Sequence, residues 1–323
     1  MMIKKCLLLS TLVCFLPTYN STPSTVTPNI RDINSIQEVK DDFQHARQDD
    51  LFIFDVDDTI LEIADPGRQT RFCNNQELKK CEDALTAFFE KKPEAKEKLN
   101  AFLSTRKEKE KVQPIEKTLI DAILDLQKRN VKVIALTAHH TGPHRLIKRI
   151  EEWRYKQLLT LGLDFSSSFP QQEVAFDTLQ ETDYVISSRY KEGSTILPAG
   201  FYKGIVCSSL YPKGIVLKSF LEKIGWPPAR IFFFDDRSQH VISVAEEMKK
   251  IGIECHAFVY KAATWNRPTT DLDLEVARLQ YELMKQRDDY VDYFEAKEIV
   301  EHQRNNIKVP QAVGQIKERN AKA

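Results

Sequence analysis

Short apolar runs recur along the chain at Leu51-Phe52-Ile53-Phe54, Val131 to Leu136, Gly204 to Cys207, Ile231-Phe232-Phe233-Phe234 and Ile253 to Val259. Each is of strand length, rich in β-branched or aromatic residues and mostly without polar alternation, the pattern of strands buried on both faces. Helical spacing fills the gaps. Ile115, Leu119, Ile123 and Leu126 recur along one helix face, with Asn130 as a stop, and further helices are predicted over Pro143–Leu161, Gly214–Ile224 and Gln239–Ile251. Strands alternating with helices predict an α/β fold, with a parallel sheet, right-handed crossovers and helices on both faces. Ligands of such sheets bind outside the carboxyl ends of the strands.

Several segments break the alternation. Residues 65–112 are charged and helical, with Leu85, Phe88, Phe89, Leu99, Phe102 and Leu103 as the apolar positions of an insertion after the first strand. Residues 164–203 lack a long helical period and predict hairpins or an irregular second insertion; Tyr184, Tyr190, Phe201 and Tyr202 within it read as packing residues. A domain over 50–264 is therefore followed by a charged helical extension over 265–323, able to dock on the domain or to self-associate. Residues 25–49 read as a linker, because the stretch around 18–40 is rich in Ser, Thr, Pro and Asn. At the start, Lys4 and Lys5 precede the apolar run Cys6 to Pro17, which suits a signal peptide over 1–24 and is too short to span a bilayer comfortably. The expectation is export to the periplasm or beyond, with no membrane span after signal removal; a buried N-terminal helix or an uncleaved anchor is the alternative.

Composition adds limits. The 323 residues are 42% hydrophobic and 29% charged, enough for a real core, and the formal net charge is zero. Neutrality removes the simplest argument for a nucleic-acid or anionic-membrane partner. Of the six cysteines, Cys73 and Cys81 are close enough in sequence to close a small loop in an oxidising compartment, while Cys207 and Cys255 sit in apolar runs and read as core residues. The absence of a CxxC pair gives no support to structural zinc.

The chemistry lies at two strand ends. Asp55, Asp57 and Asp58 follow the first apolar run, and Asp235 and Asp236 follow the fourth. In a parallel sheet these ends share an edge, where crowded carboxylates repel unless a cation neutralises them. An all-oxygen ligand set suits magnesium, which keeps water and takes substrate phosphate. One aspartate can attack phosphorus, while a second protonates the departing oxygen and then deprotonates water. A lone aspartate after a strand more often makes a turn or caps a helix. Two clusters after two buried strands favour a site.

With these residues in place, the chain resembles the haloacid dehalogenase (HAD) superfamily over residues 50 to about 262. Asp55-Val56-Asp57-Asp58-Thr59 matches its first motif, Val133 to Thr137 its second, Lys213 at a helix start its third, and Phe234-Asp235-Asp236 its fourth. The likeness is nearest to a poorly characterised group of secreted bacterial HAD-like proteins, through Leu136-Thr137-Ala138, Lys213-Gly214 with Phe220-Leu221, and the string ending at Arg237. That string also resembles the phosphatase half of polynucleotide kinase-phosphatases. The resemblance implies a magnesium-dependent phosphomonoesterase, with Asp55 as nucleophile and Asp57 as general acid and base. Thr137, with Ala138, Lys213 and Arg237, would hold the phosphoryl oxygens, and Asp55, Asp235, Asp236 and the Asp57 carbonyl would hold magnesium. It also places residues 65–112 where such proteins insert a cap.

Alternatives stay open. Lys218 is a rival to Lys213, and Arg237 fits either an ion pair with Asp236 or a phosphate contact. His139 and His140 depart from the family pattern and read as solvated side chains, as do His144 and His256. The expected substrate is a small phosphomonoester, with nucleic acid disfavoured. The competing functions are a non-catalytic binding or host-interaction protein on the same fold, and a polynucleotide-end phosphatase.

Overall fold

The apolar runs become β2 (Asp50–Phe54), β5 (Lys132–Thr137), β8 (Ile205–Cys207), β9 (Arg230–Asp235) and β10 (Glu254–Tyr260) of the central sheet. The computed structural model describes residues 29–177, 179, 197–265, 267 and 271–305; the expected signal segment, Tyr184 and Tyr190 lie outside them. Further strands are β1 (Asn29–Ile33), β3 (Leu61–Ile63), β4 (Val112–Pro114), β6 (Glu173–Ala175) and β7 (Gly200–Tyr202). The sheet is eight-stranded in the order β1-β10-β9-β2-β5-β8-β7-β6. Pairing is parallel from β1 to β8 in that order, and β7 and β6 continue it antiparallel. From β2 the chain builds outward to β5 and β8, then crosses back to β9 on the other side. That reversal opens a crevice at the carboxyl end of β2.

Helices α1 (Lys40–Gln44), α4 (Lys117–Lys128) and α5 (Ile150–Leu159) cover one face, and α6 (Lys213–Ile224) and α7 (Ser238–Lys250) the other. Alternate residues of each strand feed the two cores. Phe52, Phe54, Phe232, Phe234 and Phe258 face α4, while Leu51, Ile53, Ile231 and Phe233 face α6 and α7. The phenylalanines form a ladder across neighbouring strands, with Phe52–Phe232, Phe54–Phe234 and Phe234–Phe258 centroids 4.5, 4.9 and 4.6 Å apart. Such cross-strand pairs fix the register that brings the β2 and β9 ends level. Cys207 and Cys255 are buried core residues, and burial pushes both thiols up to about 12.

The two helices α2 (Gln76–Glu90) and α3 (Ala95–Lys109) lie between β3 and β4, an antiparallel pair that closes the base of the insertion expected at 65–112. The tail supplies the other half of this lobe. In α8 (Leu274–Arg287) and the helical stretch 293–305, Val276, Tyr281, Met284, Tyr293 and Val300 pack against Leu78, Leu85 and Phe89 of α2. Buried Gln280 joins the pieces by donating to Asp65 at 2.9 Å and to the Val291 carbonyl at 3.0 Å. Cys73 and Cys81 are free thiols, Cys73 exposed and Cys81 against the lobe core. No helix among the described residues is long and apolar enough to cross a membrane.

Two expectations need correction. Residues 29–49 are not a linker: β1 pairs with β10, Ser35 and Glu38 form a capping box, and Ile36, Val39 and Phe43 enter the core. An edge strand exposed at four of its five positions carries little apolar signal, because its backbone bonds do the pairing. The helix predicted from Pro143 begins only at Ile150. Residues 142–149 form a loop in which His144 and Ile147 pair and Arg145 adopts φ 53°, while the Glu151 carboxylate accepts from the Gly142 amide at 2.8 Å.

In the second insertion, β6 and β7 form a sheet hairpin, Phe201 is buried in the core, and β7 turns into β8 through Lys203 and Gly204, with φ 45° and 82°. Positive φ at both central residues matches a two-residue hairpin turn. Helix α6 approaches α7 so closely that a Cβ on Gly214 would lie 2.1 Å from the Ser243 carbonyl oxygen. Gly214→Ala is expected to destabilise the fold by roughly 1–3 kcal/mol or more. A denaturation midpoint unchanged from wild type would show that α6 is free to retreat.

Candidate active site at the carboxyl edge of the sheet

Asp55 follows β2, and its amide donates to the Phe234 carbonyl at 2.8 Å, extending the β2–β9 pairing to the point where β9 ends in Asp235. Both carboxylates are buried. Lys213 is the first residue of α6 and is also buried; its Nζ donates to Asp55 Oδ1 and to Asp235 Oδ2, each at 2.6 Å. A helix start lies nearest the strand ends, so Lys213, and not Lys218 farther along α6, makes the bridge. Asp235 also accepts from the Arg237 amide at 2.9 Å, and His240 Nδ1 lies 3.2 Å from each of its oxygens. Ligand atoms of Asp55, Asp235 and Asp236 lie within 4.8 Å of one another.

Charge explains the arrangement. Burial, partly offset by Lys213 and reinforced by Asp235, pushes Asp55 well above the ordinary carboxylate range. Burial also disfavours ionised Asp235, but Lys213 and His240 outweigh it and hold that carboxyl low. Asp236 is pushed up to about 7 by burial and by its neighbours Asp235 and Asp58. One lysine thus serves more negative charge than it can balance, and the donors present are all hard oxygens. A small divalent cation fits that set.

Asp57 is placed differently. Its carboxylate is 55% exposed and lies outside the three-aspartate cluster. Arg154, from the middle of α5 and only 1% exposed, donates through Nη2 to both Asp57 oxygens, at 2.8 and 2.7 Å. Crowding by neighbouring protein atoms would raise the Asp57 carboxyl even though one side of it faces solvent, but Arg154, with His139 and Lys107, outweighs that and holds it at about 2. Asp57 in this state is an ionised, weak base, and to exchange a proton near neutral pH it must first loosen its grip on Arg154. Asp58 takes φ 59° and accepts from Thr70 at 2.6 Å, which turns the chain out of the strand.

Thr137 ends β5 and is buried; its carbonyl accepts from the Ser208 amide at 2.8 Å, and its hydroxyl lies 3.5 Å from the His139 amide. Ala138, next in the chain, is exposed. Arg237 points its Nε at Asp236 from 3.9 Å, with its side chain 45% exposed. The geometry therefore gathers Asp55, Lys213, Asp235 and Asp236, with Asp57 at the mouth. The histidines are not the freely solvated residues expected. His139 Nε2 is 3.7 Å from Asp57 and its ring meets Trp153, His140 contacts His144 at 3.3 Å, and His256 stacks on Phe232. Arg154 and His240 also belong to the site. Neither carries a signal beyond its residue type, because an arginine within a charged helix reads as a surface residue.

No solved structure matches the chain. A protein of Chlamydia pneumoniae named "Putative outer membrane protein" is 25% identical over 256 residues, covering 79% of this chain and 84% of its own. An uncharacterised protein of Rickettsia bellii (strain RML369-C) is 22% identical over 142 residues, covering 44% and 45%. A family model described as "Protein of unknown function (DUF2608)" matches residues 32–293, so the arranged aspartates, Lys213 and Arg154 all fall inside it, and the chain belongs to that family.

Proposed function

We propose that the chain is a magnesium-dependent phosphomonoesterase acting through an aspartyl-phosphate on Asp55. The observation that carries this reading is the buried Asp55–Lys213–Asp235 bridge with Asp236 within ligand distance. The ordered motif likeness to the HAD superfamily, carried by the same residues, supports the same reading. Asp55, Asp235 and Asp236 would hold the cation, which when bound neutralises phosphoryl oxygens and lets carboxylate meet phosphate. Asp55 Oδ forms a bond to phosphorus as the phosphorus–oxygen bond to the leaving group breaks. Lys213 keeps Asp55 oriented and balances charge on the transferring group, which is positioning and electrostatics more than covalent chemistry. Thr137 sits at the neighbouring strand end, where its hydroxyl can donate to a phosphoryl oxygen. Once Arg154 has shifted to another anion, a protonated Asp57 gives its proton to the leaving oxygen as that bond breaks; the resulting carboxylate then takes a proton from the water that attacks the aspartyl-phosphate, releasing phosphate and restoring Asp55.

The same reading places the protein outside the cytoplasm, supported by the apolar N-terminal run and by the name of the Chlamydia relative. The test is a panel of phosphomonoesters, with a phosphorylated oligonucleotide included, assayed on purified protein with magnesium and again after chelation. Phosphate release that chelation abolishes and magnesium restores is expected. Release that persists unchanged in chelator would remove the cation from the mechanism, and turnover confined to the oligonucleotide would favour a polynucleotide-end phosphatase.

A further inference from the structure

The basic side of the site has more positive charge than the chemistry above uses. Arg154 is buried with its Nε unpartnered among the described residues, although its Nη2 holds Asp57. Lys107, in the last turn of α3, reaches the same place from the helical lobe. Its ammonium lies 4.2 Å from the Trp153 ring, and no carboxylate of the described residues is within ion-pair distance of it. The Arg154 guanidinium lies 4.8 Å from the same ring and the His139 ring 5.9 Å from it. Arg154 therefore binds Asp57 directly, while Lys107 feels Asp57 and Glu110 only from beyond ion-pair distance. Burial and Arg154 push the Lys107 ammonium down to about 8, the direction expected of a cation lacking a counter-ion.

The transferring phosphoryl group has its own partners around Asp55, so a charge excess around Asp57 and Trp153 points to something else. Beside it runs a groove of about 950 Å³, with Trp153 in its wall. Most of the groove's own cations are matched: Lys109 pairs with Asp289, Lys111 with Asp292, Lys156 with Glu152 and Arg149 with Glu151 and Glu173, while Lys148 has no ion pair among the described residues. The groove therefore offers room next to Trp153, and Lys107 Nζ and the Arg154 Nε, which do not line it, offer cationic donors without an ion-pair or hydrogen-bond partner among the described residues.

We propose that Arg154 and Lys107 form a second anion site, so that the preferred substrate is a phosphomonoester whose leaving group carries a further phosphate or carboxylate. This rests on the phosphomonoesterase reading for its catalytic consequence, though not for binding. The second anion also gives Arg154 an alternative partner to Asp57. A charged hydrogen-bonded contact of this kind corresponds to roughly 10- to 100-fold in affinity.

Matched probes test it: fructose bisphosphate against fructose monophosphate for a second phosphate, and phosphoglycerate against glycerol phosphate for a carboxylate. Wild type is expected to show at least about a tenfold lower KM for the doubly anionic member of one pair. Lys107→Met should shrink that ratio to within about twofold, and Lys107→Arg should retain most of it. The same pairs are titrated calorimetrically, with magnesium, into Asp55→Asn and into Asp55→Asn/Lys107→Met, where turnover does not interfere. Tighter binding of the doubly anionic probe that depends on Lys107, without hydrolysis by wild type, would sink the phosphomonoesterase reading and leave the anion site standing. Hydrolysis with no preference, or a preference unchanged by Lys107→Met in both assays, overturns the anion site.

Discussion

On the proposed phosphomonoesterase reading, Asp55→Asn is expected to lower phosphate release by at least about 10³-fold, the loss that follows when a nucleophile is removed from a site built around it. The amide keeps the shape of the carboxylate and can still face Lys213, so circular dichroism and elution volume stay those of wild type. A further consequence concerns stability. In the metal-stripped protein the Asp55 carboxyl sits well above the ordinary range, raised by burial and Asp235 against the pull of Lys213. A carboxyl whose folded pKa exceeds its unfolded one favours the fold at low pH and loses that advantage as pH rises above the ordinary carboxylate range. Asparagine escapes this loss. Stripped Asp55→Asn should therefore melt above stripped wild type at neutral pH, with the gap closing as pH falls toward the ordinary carboxylate range. Full hydrolytic activity in the variant, or a lower melting temperature in the stripped state, would count against the electrostatic picture.

Lys213→Met has the largest effect on the fold. It removes the cation that bridges Asp55 and Asp235 at 2.6 Å each and leaves both carboxylates buried, with Asp235 retaining only the Arg237 amide and His240. Breaking a buried charge pair from one side costs about 3–5 kcal/mol. The expected fall in melting temperature is on the order of 10 °C, with phosphate release lost as well. Two rescues follow from the cause. Magnesium should recover part of the stability by supplying charge to the same oxygens, and the double variant Asp55→Asn/Lys213→Met should be more stable than the sum of its parts, since one of the stranded carboxylates is gone. A Lys213→Met protein melting with wild type would show that the bridge contributes little.

The framework around this cluster was readable from the chain because buried parallel strands leave unbroken apolar runs. Phe52 with Phe54 and Phe232 with Phe234 are apolar for two reasons at once, facing one core while Ile53 and Phe233 face the other. In a parallel sheet, acidic residues at the ends of two such runs meet at one edge, which is why the pairing of Asp55 with Asp235 is legible in the sequence. Polar segments held by backbone bonds were not readable: Asn29–Ile33 joins the sheet through register with β10 while exposing most of its side chains. The lobe was half legible. The apolar positions of α2 and α8 announce buried faces, but nothing in either helix names the other as its partner. The clamp on Asp57 was hidden for the same reason. Arg154 acquires its meaning from α5 lying across the mouth of the site, and α5 starts later than its periodicity implied.

The most direct test traps the covalent intermediate. Wild-type protein turning over a phosphomonoester with magnesium is quenched in acid and reduced with borohydride, which converts an aspartyl-phosphate to homoserine, and the digested protein is read by mass spectrometry. Transfer to Asp55 predicts homoserine at position 55, dependent on both substrate and magnesium. Turnover with no homoserine, or with homoserine at Asp57 in its place, would contradict it.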